Sequence, residues 1–471
     1  MSASGNTALR FHTIVRTRPE TRPHDRPYAR TEPKIDPTRQ PPEGRPAERR
    51  PDGTPIDPDR VEIGPTALAF AEWAERGITP PNLEAVRGYR LQRIVEQLQQ
   101  RDYGAVLLFD PLNIRYATDT TNMQLWVAHN PSRACLVTAS GYVVLWDFKG
   151  CEHLSRHLPR VNEVRTGAAF FYFMVGTREH EAANAFVDEV DDLLRQHAGS
   201  NRRLALDRIE PVGVHALEAR GVQIESGGEL MEHARAIKCA DEINAMRCAV
   251  ATTEIAIGAM HAALEPGIAE VELWSILHAE NIKRGGEWIE TRILSSGPRT
   301  NPWMQEAGPR ELQAGDFLAF DTDLIGPYGM CADISRTWLV GDVAPTNEQR
   351  VLYQTALEHI VTNREMCKPG VSFRDLTFNG HPLPAEYVPQ RYGVKFHGVG
   401  LCDEYPCISY PEDYKPGAFD FALEPGMCLC VEVYLGAVGG RHGVKLEDQI
   451  VITEDGFENL STYPFEERLL A

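Results

Sequence analysis

The stretch from Phe317 to Trp338 carries the pattern most able to do chemistry in this chain. An apolar run, Phe317 to Phe320, leads into Asp321 and Asp323, and the turn-forming segment Gly326 to Gly329 precedes Asp333. Side chains alternate along a strand, so a strand continuing through this run puts Asp321 and Asp323 on one face. The turn then returns Asp333 to within about one residue of facing them. Three carboxylates on a face flanked by apolar residues repel one another and resist loss of water unless a cation joins them.

Three later segments supply matching groups. His397 follows the strand-like Val394-Lys-Phe396, Glu432 sits inside the apolar run Cys428 to Tyr434, and Glu447 lies in Val444 to Val451. A glutamate within an otherwise apolar strand needs a partner. Hard oxygen donors with one imidazole suit manganese, iron, cobalt or zinc rather than a thiolate-type structural zinc. Cys428 and Cys430 share the strand face of Glu432, where free buried thiols are a simpler account than further ligands.

The order Asp, Asp, His, Glu, Glu resembles that of the superfamily of methionine and Xaa-Pro aminopeptidases, prolidases and creatinase. The resemblance runs from about Lys238 to the end, with a creatinase-type domain before it. It implies a pita-bread fold in which Asp321, Asp333, His397, Glu432 and Glu447 hold two divalent ions. Asp323 stands where the peptidases usually have glycine, which makes it a sixth candidate ligand.

The chain departs from those peptidases at their two proton-handling histidines. The stretch Ser295 to Gln305, ahead of Asp321, contains no histidine. After His397-Gly-Val-Gly400 the peptidases place a histidine, whereas here Asp403 begins Asp403-Glu-Tyr-Pro406 and the loop is one residue shorter. Keeping the ligands while losing both histidines argues against amide hydrolysis. An aspartate at that position is a candidate general base, because crowding by acids or apolar groups brings its pKa nearer the working pH.

A longer resemblance is to the DddP-type dimethylsulfoniopropionate lyases of the same fold. It is carried by Asp110-Pro-Leu-Asn-Ile-Arg-Tyr-Ala117, Asn122-Met-Gln-Leu-Trp126, Ala279 to Glu290 and Ser296 to Trp303, and extends over nearly all the chain from about Lys34. It implies Asp403 as the base, Trp126 and Tyr392 as substrate contacts, and iron as the first choice of metal. Trp303 and Tyr405 are further aromatic candidates by position. The substrate class is then a small β-sulfonium carboxylate, and aromatic faces suit its cationic head. The rival readings are a lyase for another β-substituted carboxylate, an Xaa-Pro aminopeptidase or creatinase-like hydrolase, and a binding protein on a retained fold. Creatinase-type relatives imply a homodimer, with one subunit's N-terminal domain approaching the other's site.

These residues must be positioned by two structured units. The chain has 471 residues, enough for two or three domains, and a formal charge of −19 argues against nucleic acid or an anionic membrane as main partner. Residues 1–60 hold eleven of the 33 prolines and eleven arginines and read as a disordered or loosely draped arm. Residues 61–237 alternate helix and strand: a helix from Leu83 to Arg101, a strand from Ala105 to Phe109, a hairpin around Ser140-Gly141, and a helix from Glu181 to His197. That is the pattern of an α/β domain. From Lys238 an α+β catalytic domain begins with helices near Asp241 to Leu264 and Glu270 to Gly285, and strands follow Ile289. Ten scattered cysteines without a pairing pattern, and no long apolar run, fit a cytoplasmic protein.

Overall fold

A computed structural model describes residues 49–54, 64–151, 154–155, 158, 160–418 and 421–470. Most of the expected arm, residues 1–48 and 55–60, lies outside the described residues. Within it, Arg49 to Thr54 is described, and Asp52 is buried and accepts a hydrogen bond from the Tyr328 hydroxyl at 3.1 Å.

The N-terminal domain is built on six strands: β1 (Ala105–Leu108), β2 (Ala134–Thr138), β3 (Val143–Trp146), β4 (Glu163–Arg165), β5 (Arg203–Leu206) and β6 (Gln223–Ser226). Their order is β4-β3-β2-β1-β5-β6. The β2–β3 hairpin is antiparallel as the Ser140-Gly141 turn predicts, while β1, β5 and β6 run parallel. Strands β1, β2 and β3 are buried along their whole length. Their near-continuous Val, Leu and Ala sequence reflects helices on both faces. The helix Leu83–Gln100 starts where Asn82 accepts the Glu84 and Ala85 amides, as an N-cap should.

The C-terminal domain opens with the paired helices Ala240–Ala262 and Glu270–Lys283. The first is buried on more than one side, so the single stripe read from its sequence understates its packing. Two three-stranded sheets follow, β11-β10-β7 and β12-β9-β8, from β7 (Trp288–Ile289), β8 (Leu294–Ser296), β9 (Phe317–Phe320), β10 (Leu324–Ile325), β11 (Cys331–Ala332) and β12 (Arg336–Leu339). The last sheet has the order β14-β13-β15-β16-β17, from β13 (Phe396–Val399), β14 (Asp403–Ile408), β15 (Cys428–Leu435), β16 (Val444–Ile452) and β17 (Phe457–Asn459).

Strands β15 and β16 form an antiparallel pair in which every residue is buried. The two faces differ in kind. Leu429, Val431, Val433 and Leu435 alternate onto one face with Val444, Leu446, Ile450 and Ile452, in apolar clusters that include Phe373 and Tyr353. The other face carries Cys430, Glu432 and Tyr434 opposite Gln449, Glu447 and Lys445 in register. Burial of that second face is what creates the site.

Candidate metal centre and active site

Glu432 and Glu447 are direct cross-strand partners, an arrangement that costs stability unless positive charge lies between them. His397 comes from β13, in register with Cys430 on β15. Its Nε2 lies 3.5 Å from Asp333, 3.5 Å from Glu432 Oε1 and 3.3 Å from Glu447 Oε1. Its Nδ1 lies 3.1 Å from the Gly398 carbonyl, so a neutral ring with its proton on Nδ1 would leave Nε2 facing the carboxylates.

The three aspartates converge, but not as an unbroken strand would place them. Strand β9 stops at Phe320, and Asp323 has a positive φ of 36°. The chain therefore turns at Thr322 and Asp323 before β10 and β11 make the expected hairpin, with Leu324 opposite Ala332 and Ile325 opposite Cys331. The Asp323 amide approaches Asp333 Oδ1 at 3.4 Å. Donor atoms of Asp321, Asp323 and Asp333 fall within 4.8 Å of one another, and so do those of Asp333, His397, Cys430 and Glu447. Asp333 belongs to both groups, the arrangement expected of two adjacent ion sites.

The donor set fits divalent ions on a further ground. Glu432 Oε1 and Glu447 Oε1 are buried with no hydrogen-bond partner in the protein. A buried carboxylate oxygen with no hydrogen bond, facing the His397 ring at 3.3–3.5 Å, is costly, and a divalent cation would remove that cost. Supporting groups hold the other oxygens. Ser335 Oγ donates to Asp321 and contacts Glu447 at 2.7 Å, Thr291 donates to Asp323 at 2.9 Å, and Gln449 accepts the Asp333 amide at 3.0 Å.

Lys445 was not among the sequence-predicted site residues, yet it is the resident cation of the cluster. Its buried ammonium lies 2.8 Å from Asp321, 2.8 Å from Glu432 and 3.0 Å from Glu447. The signal was present: a lysine two positions from Glu447 shares its strand face.

Charge and burial set the protonation of the metal-free protein. Burial, with the neighbouring carboxylates, pushes Asp323 up to about 8. Burial does the same to Glu432, also up to about 8, although Lys445 opposes it. Asp333 is raised well above the carboxylate range by burial and by Glu447, Asp323 and Asp321. Burial also disfavours ionised Glu447, but Lys445 and His397 outweigh it and hold that pKa well below normal. Burial alone would lower His397, but Asp403, Glu447 and Glu432 raise it well above the usual imidazole value. A bound metal would displace those protons.

Asp403 opens β14, with Oδ1 3.7 Å from His397 Nδ1 and a side chain that is 54% exposed. Loss of surrounding water raises its pKa, His397 opposes the rise, and Glu447 and Asp321 add to it. Glu404, the next residue, is buried and paired with Lys238 at 2.5 Å and Arg235 at 2.9 Å, so it is not free to move protons.

The aromatic candidates separate. Tyr392 and Trp303 line a cleft of about 300 Å³ with Met304, Gln390 and Tyr434, and the Lys445 ammonium lies 5.0 Å from the Tyr392 ring and 5.8 Å from that of Trp303. Trp126 instead sits on the short N-terminal-domain helix Gln124–His129 against Phe148, with ring centroids 5.6 Å apart. It is not among the residues lining that cleft. Tyr405 packs against His233 and Phe373 rather than in the cleft.

A family model described as metallopeptidase family M24 matches residues 244–454. Among solved structures, the Xaa-Pro dipeptidase from Bacillus anthracis superposes with a TM-score of 0.64 at 22% identity, over 80% of this chain and 98% of that one. The prolidase from Pyrococcus horikoshii gives 0.64 at 21% identity, over 80% and 99%. The fold is thus the pita-bread fold of the M24 metalloenzymes, preceded by an α/β domain. Two curated relatives are more specific: "Dimethylsulfoniopropionate lyase DddP" of Roseovarius nubinhibens is 55% identical, and that of Roseobacter denitrificans 51%, each over 89% of this chain and 95% of the relative. The chain belongs to the DddP family of dimethylsulfoniopropionate lyases.

Proposed function

We propose that this chain cleaves dimethylsulfoniopropionate to dimethyl sulfide and acrylate, with Asp403 removing the α-proton. Membership of the lyase family makes it a carbon–sulfur lyase, and its relatives are named for this substrate. The observation that carries the finer reading is Asp403 beside His397, at 3.7 Å, where the M24 peptidases place a histidine.

The substrate has a carboxylate, an α-carbon that can lose a proton, and a sulfonium on the β-carbon. Two divalent ions held by Asp321, Asp323, Asp333, His397, Glu432 and Glu447, iron before manganese, cobalt or zinc, would supply Lewis-acid stabilisation of the developing negative charge. Asp403 accepts the α-proton as a carboxylate, and its raised pKa makes it a stronger base than an ordinary aspartate. The Cα–H electron pair becomes the double bond of acrylate, and the C–S pair leaves with dimethyl sulfide. Tyr392 and Trp303 offer ring faces to the sulfonium. Being half exposed, Asp403 can return its proton to water.

A homodimer supports a role for Trp126 that one chain alone does not. The exposed Met123 and Leu125 beside it form a surface that a second copy could cover, bringing Trp126 towards the partner's site. A cytoplasmic location fits the ten free cysteines. No helix among the described residues is long and apolar enough to cross a membrane.

Headspace detection of dimethyl sulfide, with acrylate measured in solution, from purified and metal-analysed protein tests the reading. Equal amounts of both products support it. Release of proline-linked residues from dipeptides, without either product, would replace it with a hydrolase.

A further inference from the structure

We infer that Glu404, held by Lys238 and Arg235, is the positioning residue that aims Asp403 at the reacting carbon. This rests on the reading of Asp403 as the base. Asp403 is weakly held by its own contacts, being half exposed with His397 at 3.7 Å. Its neighbour is the opposite case. The Glu404 side chain is 1% exposed, with Oε1 on the Lys238 ammonium at 2.5 Å and Oε2 on Arg235 Nε at 2.9 Å.

The local backbone makes that anchor count. Pairing of β13 with β14 shifts between His397 and Gly398, where His397 faces Cys407 but Gly398 faces Glu404. Such a bulge twists the strand and re-aims the side chains beside it. Successive side chains of β14 point to opposite faces, so the rotation that seats Glu404 also sets the direction of Asp403. The Tyr405 amide donates to Glu232 at 2.8 Å, and Glu232 accepts from Arg235 at 2.5 Å, which pins the strand at a second point. Room for the clamp is reserved, because a Cβ on Gly400 would stand 2.3 Å from Glu404 Oε1.

The clamp also crosses between domains. Arg235 ends the helix Gly227–Arg235, Lys238 lies at the start of the catalytic region, and Arg235 donates to Asn113, whose amide binds Asp207 at 3.0 Å. The N-terminal domain thereby has a mechanical hold on the base.

The test is a double-mutant cycle of Lys238→Met with Asp403→Asn, reading acrylate turnover, KM and metal content. Lys238→Met should lower kcat about tenfold, a modest penalty for a displaced catalytic group, with KM and metal content unchanged. In the Asp403→Asn background it should cause no further loss, because the clamp acts only through Asp403. Losses that multiply, or an unchanged kcat in the single variant, would overturn the inference. Should Lys238→Met fail to fold, Asn113→Ala removes only one partner of Arg235 and takes its place, with the same non-additivity expected. Amide hydrogen exchange across residues 400–408 reads the clamp without turnover. Faster exchange there in the variant, with β15 unchanged, supports the clamp, and unchanged exchange refutes it. A wild type that makes no acrylate would instead refute the proposed function, leaving exchange to decide the clamp.

Discussion

The central strands of the two main sheets are buried alike and composed differently. In the N-terminal sheet, β1 to β3 are Val, Leu and Ala with little else, packed by the apolar faces of helices. In the C-terminal sheet, β15 and β16 are equally buried but put Glu432, Glu447 and Lys445 on one face. Burial of the first sheet is a source of stability. Burial of that acidic face is an electrostatic debt, of which Lys445 meets only part. The difference separates buried residues that serve the fold from those proposed to hold a cation.

The sharpest break would come from exchanging the roles. Leu107→Ala, in the centre of β1, should destabilise by about 2–5 kcal/mol while leaving metal stoichiometry unchanged in the folded protein. His397→Ala or Asp333→Ala should lose bound metal and lyase turnover together, because each removes a donor from a shared site. Elemental analysis beside a headspace assay separates the two behaviours. Full metal content in both ligand variants would end the assignment of the acidic face.

Asp403→Asn should have the next largest effect. The amide is nearly isosteric but cannot accept the α-proton as a carboxylate does. Acrylate turnover should fall by at least about a hundredfold, with metal retained, since Asp403 is not among the proposed ligands. Near-normal acrylate production would move the search for the base to Tyr392, because the ion-paired Glu404 is already committed.

Much of the site was legible because its parts follow strand periodicity. Glu432 and Glu447 are polar breaks in apolar runs, and the turn after Ile325 brings Asp333 back as the Gly-Pro-Tyr-Gly segment implies. What stayed hidden depends on contacts far apart in sequence. Asp323 joins Asp321 through a left-handed residue and not through strand alternation, a backbone state that no aspartate advertises. Lys445 could be seen on the face of Glu447, but its three carboxylate partners come from separate strands and a corner. The Glu404 clamp joins residues about 170 positions apart. Trp126 rests on resemblance alone, and in the single chain it packs against Phe148 of its own domain.

The contrast between sheets also predicts how metal-free protein responds to pH. Asp323 and Glu432 titrate near 8 when folded and near 4 when unfolded. Between those values the folded state binds more protons, so stability falls as pH rises through the window. His397, raised when folded, acts in the same direction, whereas Glu447, lowered when folded, adds stability as pH rises below the window. His233, His261, His278, His359 and His442, all lowered when folded, oppose the fall only up to the ordinary imidazole value of about 6.5. Denaturant unfolding of chelated protein should therefore show lower stability at pH 8 than at pH 5. Restored metal should weaken or reverse the trend, since deprotonated ligands bind it more tightly. A metal-free protein that gained stability over this range would show the acidic face to be solvated.

The smallest expected effect concerns the arm, where the comparison is weakest. Tyr328 sits in the turn between Asp323 and Asp333, packs near Trp73 at 5.9 Å, and donates to the buried Asp52. Asp52→Ala removes that acceptor and the local bonds from Thr54. Each of these three hydrogen bonds contributes about 0.5–1.5 kcal/mol, so the melting point should drop by several degrees at most, with metal content and turnover kept. Removal of residues 1–30 should change neither metal content nor turnover, because that stretch lacks core-forming periodicity. The two variants distinguish a drape from a latch. A drape leaves metal content intact in both. Metal loss in Asp52→Ala would mean that the arm holds the Asp323–Asp333 hairpin in its binding geometry, and the site would then extend well beyond the C-terminal sheet.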